Sequence, residues 1–72
     1  MPYKISGEID VTGTVQLIVV DEATWTTEYS GAKGTGAYEV DSLVSGTKTV
    51  LARTASEGQV VGFGGIPAYY YA

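Results

Sequence analysis

The side chains best spaced for chemistry are two carboxylate pairs, Glu8 with Asp10 and Glu39 with Asp41. At i, i+2 on an extended strand both members project from one face. Such pairs serve acid–base chemistry or supply the hard oxygen ligands of a weak calcium site. The plainer reading is two solvated faces. A hydrolytic triad is out of reach, because the 72-residue chain has no histidine and no cysteine to activate its many Ser and Thr hydroxyls. The same absences exclude disulfides and the thiolate or imidazole ligands of structural zinc. Gly34-Thr35-Gly36 and Gly62-Phe63-Gly64-Gly65 complete neither a Walker nor a dinucleotide spacing and precede no helical pattern, so they read as turn and bulge glycines. The expectation is a non-enzymatic chain with no catalytic residue, metal, cofactor or small-molecule substrate.

Charge narrows the partners. Eight acidic residues against four basic ones give a net charge of −4, and Lys4, Lys33, Lys48 and Arg53 are scattered. Phosphate binding needs a basic patch, so nucleic acid is not expected. No apolar run approaches the ~18 residues of a membrane span, and the opening Met-Pro-Tyr-Lys carries no signal-peptide core. The reading is of a complete frame made in a cytoplasm, with no asparagine for N-glycosylation.

What remains for recognition is aromatic. In a sandwich Trp25 would most often be core, with an exposed interaction site as the alternative. Tyr69-Tyr70-Tyr71 is extended, so its rings point to both faces and at least one cannot enter the chain's own core. Tyrosine favours interfaces because it offers rigid area with a polar tip. The residues expected to contact a partner are Trp25, Phe63, Ile66, Tyr69, Tyr70 and Tyr71.

The elements that must position these groups are strands. Ile5, Gly7, Ile9 and Val11 alternate with Lys4, Ser6, Glu8 and Asp10, giving one wet and one dry face. Val15 to Val20 is apolar on both faces apart from Gln16, as a central strand requires. Asp21 to Thr24 is a connection that could form one helical turn, and Ala23 to Tyr29 resumes an extended pattern. Ser30 to Gly36, with three glycines, is expected to be the longest loop. Ala37 to Leu43 alternates again. Thr47 to Arg53 and Gln59 to Phe63 form a hairpin through Ser56-Glu57-Gly58. Six or seven short strands separated by turns predict an all-β fold, a single small Greek-key β-sandwich over residues 1–63 with an aromatic tail over 64–72.

Ile5-Ser6-Gly7-Glu8-Ile9, Val15-Gln16-Leu17, Gly36 to Gly46 and Val50-Leu51-Ala52-Arg53 together resemble the carboxypeptidase regulatory-like domain, a prealbumin-like (transthyretin-like) Greek-key sandwich. The Gly36 to Gly46 block is the most specific part. The resemblance implies a turn at Gly36, core positions at Tyr38 and Val40, Leu43 as a plug under the next turn, and a positive φ at Gly46. The closing run Glu57 to Gly64 is similar to the ends of short frames of this type among tailed-phage structural genes, and that likeness implies a virion component.

Size points the same way. A 72-residue chain buries only ~60% of the surface its unfolded form exposes. With disulfides and zinc excluded, oligomerisation is the remaining stabilising device. The expected function is a structural subunit of a phage particle, in a decoration, capsid or tail-associated role, that self-associates or docks on other structural subunits. A subunit of a non-viral extracellular filament and a carbohydrate-binding module are the alternatives.

Overall fold

The computed structural model describes residues 2–54 and 60–71, and none of these is helical. Seven strands are described: β1 (Tyr3–Ile9), β2 (Val15–Asp21), β3 (Thr26–Lys33), β4 (Gly36–Leu43), β5 (Thr47–Thr54), β6 (Val60–Pro67) and β7 (Tyr69–Tyr70). They form two antiparallel sheets, a three-stranded one in the order β4-β1-β7 and a four-stranded one in the order β3-β2-β5-β6. The protein is a small all-β sandwich, as the alternation of its sequence predicts.

Alternate residues of β1, β2 and β5 supply the core, and an irregularity at Ser42, where φ is 62°, turns both Val40 and Leu43 of β4 inward. Ile5 and Ile9 of β1, Val15, Leu17 and Val19 of β2, Val40 and Leu43 of β4, and Val50 of β5 are buried between the sheets. Each contributes roughly 1.5–3 kcal/mol by leaving water. Tyr38 packs against this core from the side. It lies across its register partner Gly7, so close that a Cβ there would sit 2.8–2.9 Å from the phenol. Gly36 and Gly46 both adopt positive φ, at 115° and 119°, where the chain turns into β4 and β5.

Three boundaries differ from expectation. Ser30 to Gly36 is not a long loop: β3 runs to Lys33 and β4 starts at Gly36, so only Gly34 and Thr35 connect the sheets. Gly31 is tolerated within β3 because the Tyr29 ring folds over it, within 2.5 Å of where a Cβ would lie. Thr35 then pins the crossing, donating its hydroxyl to Val11 O at 2.5 Å and accepting from Gly13 N–H at 3.2 Å. β3 starts at Thr26 rather than Ala23, because Asp21 to Thr24 forms the single helical turn open to it, closed by Trp25 N–H to Asp21 O at 2.6 Å.

The third difference is at the C-terminal end. β6 continues through residues 63 and 64, and β7 pairs with β1 at Tyr3 and Lys4. In the single chain the aromatic segment therefore folds back on the sandwich. Tyr71 N–H donates to Pro2 O at 2.8 Å, and the Tyr70 ring meets Tyr3 edge-on at 5.7 Å. The β5–β6 pairing agrees with the predicted hairpin. Its turn, Ser56-Glu57-Gly58, lies outside the described residues.

Candidate functional site

Two features stand out once the core is accounted for. The first is an ion cluster enclosed at one end of the sandwich. Asp21 continues the inward parity of Val15, Leu17 and Val19, and Lys48 shares the inward parity of Val50, so the β2–β5 register sets them face to face. Lys48 is 0% exposed and Asp21 is 4% exposed. The ammonium donates to Asp21 Oδ1 at 2.8 Å and, in a still closer contact, to Glu28 Oε1 from β3. The remaining oxygens are also occupied: Thr24 donates its N–H and hydroxyl to Asp21 Oδ2, at 3.2 and 3.1 Å, and Val44 N–H donates to Glu28 Oε2 at 2.9 Å.

A buried charge is costly unless paired and fully hydrogen-bonded, and this cluster meets that condition. Burial acts to lower the Lys48 pKa, but hydrogen bonds to Asp21 and Glu28 outweigh it and the net direction is upward. The hydrogen bond from Lys48 holds the Asp21 carboxyl below its usual value, with Thr24 adding to the effect. Beside the cluster, Glu22 clasps a bulge. Its Oε2 accepts from Gly65 N–H at 2.8 Å and from the Thr49 hydroxyl at 2.6 Å, and the Gly65 bond is the main cause of a lowered Glu22 pKa.

The second feature is apolar. At Gly64–Gly65 β6 carries one residue more than β5, which lets Phe63 and Ile66, three apart, both face inward opposite Val50 and Lys48. Ile66 packs on the core. Phe63 and Val61 do not, being 67% and 53% exposed, because the opposing sheet has no third strand there. Among the described residues β7 pairs only with Tyr3 and Lys4 of β1. The remainder of that edge borders a cleft of about 230 Å³ whose lining includes Ile9, Val11, Val61 and Phe63 together with the charged Glu8, Asp10 and Arg53.

The sequence-predicted contact residues divide accordingly. Trp25, at positive φ on the β2–β3 turn, is 68% exposed and not core. Tyr69 and Tyr70 are exposed, whereas Tyr71 is half-buried and accepts from Ser42 N–H at 3.2 Å. Lys4 joins this patch, bridging to Glu39 at 3.1 Å and lying 5.1 Å from the Tyr71 ring centroid. Glu8, Asp10 and Asp41 are exposed. Among the described residues no three carboxylates converge on a cation-sized site, and no helix is long and apolar enough to cross a membrane.

No family model matches the chain, and no curated protein or solved structure does.

Sequence reasoning missed the Lys48–Asp21–Glu28 cluster and the Glu22 clasp. The signal was parity: Lys48 is two residues from Val50 and Asp21 two from Val19, so both ions fall on the dry face.

Proposed function

We propose that this chain is a non-enzymatic structural module that packs against copies of itself or against other subunits of an assembly. The leading setting is a small virion component of a tailed phage. The observation carrying this reading is the inner face of β6, uncovered among the described residues, where Val61 and Phe63 look across a mainly apolar cleft toward the part of β1 that no described strand pairs on that edge. An extended segment from a neighbour that paired with β1 would cover both side chains and extend the smaller sheet, a mode of recognition in which backbone hydrogen bonds give affinity and side-chain pockets give specificity.

The resemblance of the sequence to the carboxypeptidase regulatory-like domain supports this reading. Three of the four cations are engaged within the chain: Lys4 with Glu39, Lys48 with Asp21 and Glu28, and Lys33 over the Tyr29 ring at 5.3 Å. That favours protein over nucleic acid as partner. An extracellular filament subunit would use the same edge.

Sedimentation velocity over a range of concentrations tests the reading. Self-association of the native chain, lost in Phe63→Glu with the melting temperature held, is the expected result. A chain that stays monomeric at its highest soluble concentration, and is absent from purified particles of its source, overturns it.

A further inference from the structure

We infer that Lys48 and Asp21 condense with one another, forming a side-chain amide that joins β5 to β2. The arrangement is that of a nucleophile, an electrophile and a proton carrier enclosed together. Lys48 Nζ lies 2.8 Å from Asp21 Oδ1, Glu28 touches the same nitrogen, and two donors from Thr24 converge on the other oxygen, Asp21 Oδ2. Neither Asp21 nor Lys48 is open to solvent.

The reaction needs nothing from outside the chain. The ammonium passes one proton along its 2.8 Å hydrogen bond to Asp21 Oδ1, and the freed lone pair attacks Cγ of the now neutral carboxyl. The carbonyl electron pair moves onto Oδ2, where the Thr24 N–H and hydroxyl stabilise the developing charge as an oxyanion hole does. The nitrogen then sheds a second proton to Glu28, which delivers it to Oδ1. The Cγ–Oδ1 bond breaks, and water departs. The three ammonium hydrogens end as one on the amide and two on water, with Glu28 again a carboxylate.

Two physical effects favour this outcome. Holding amine and carboxyl in contact replaces a bimolecular encounter with an internal one, equivalent to an effective concentration of up to roughly 10⁵ M or more. Enclosure also keeps water from the product. The opposing effect is that the resting pair is ionic, so reaction proceeds from a minor neutral arrangement and is slow, occurring once after folding. The role of Glu28 distinguishes a reactive site from a simple ion pair, since charge balance for Lys48 needs only one carboxylate.

Intact-mass spectrometry of the full chain, freshly purified and after prolonged incubation at neutral pH, tests this inference. The expected mass of the native chain is one water below that of its sequence, and proteolysis should yield one branched peptide containing both Asp21 and Lys48. Lys48→Arg and Asp21→Ala should each keep the full mass, whether or not they fold well. Glu28→Gln should keep it too, and condensation of that variant at the native rate would remove Glu28 from the mechanism. A native chain that stays at full mass throughout overturns the inference. So does a water loss that survives Lys48→Arg, because the water is then leaving from somewhere else.

Discussion

Lys48 and Asp21 occupy one rung of the β2–β5 ladder, directly opposite in register, with their charged ends 2.8 Å apart at the closed end of the sandwich. Removing the cation leaves two enclosed carboxylates facing each other. Measured against the uncondensed native chain, Lys48→Ala should therefore cost about 3 kcal/mol of folding stability, the scale for breaking a buried pair by removing one partner. Urea denaturation checks it, and an unchanged midpoint would show that the cluster contributes nothing to the fold.

Gly7 and Tyr38 give a second test. A methyl group at Gly7 would sit under 3 Å from the Tyr38 ring, which would have to leave its place on the core. Gly7→Ala should destabilise by about 1–3 kcal/mol, as overpacking does. If Gly7→Ala melts at the native temperature, the ring does not lie where the register puts it.

The Glu22 clasp makes an acid-sensitive contribution. Hydrogen bonds from Gly65 and Thr49 lower the Glu22 pKa in the folded state. A depressed carboxyl pKa adds stability that is present above the unfolded-state value, near pH 4.3, and is lost as pH falls through the folded-state value. The melting temperature of the native chain should exceed that of Glu22→Gln at pH 7, and the gap should close as the pH is lowered below about 4. A gap independent of pH between 7 and 3 would rule out a charged clasp.

Deleting residues 68–72 removes β7, the Tyr3–Tyr70 contact and the bonds from Ala68 N–H to Gly46 O at 3.0 Å and from Tyr71 N–H to Pro2 O at 2.8 Å. None of the buried apolar residues lies there. The truncated chain should keep its β-sheet circular dichroism while losing about 2–4 kcal/mol, mostly the aromatic pair and the backbone hydrogen bonds. Complete unfolding would place the segment in the indispensable core.

Trp25 separates the assembly reading from carbohydrate binding. Its exposed ring on a turn is free to stack on a sugar or a protein. On the assembly reading, Trp25→Ala weakens self-association or particle incorporation, and a glycan array stays blank for the native chain. Sugar binding abolished by this substitution would favour the carbohydrate module instead.

Strand existence and core membership were legible because period two survives in β1, β2 and β4 as far as Val40, where a wet and a dry face differ in chemistry. The pattern failed where charge sat on the dry face. Asp21 read as a strand ending and Lys48 as a scattered cation, because hydropathy treats both as solvent-seeking and cannot see that they neutralise one another across β2 and β5. It failed again at Gly31, where a glycine that signals a loop by itself is covered by Tyr29. The inward placement of Ile66 depends on the bulge at Gly64–Gly65, which two adjacent glycines suggest but whose register only the pairing with β5 fixes.

The uncovered β6 carries a hazard for the isolated chain. From Val60 to Pro67 it contains no charged residue, and it is the outermost strand of the larger sheet. Soluble proteins usually guard such edges with lysines, kinks or a covering element. Here the glycine bulge and the terminal Pro67 are the only such guards on the strand itself. Overproduced, the isolated chain should pair edge to edge through β6 and form insoluble, dye-binding fibrils.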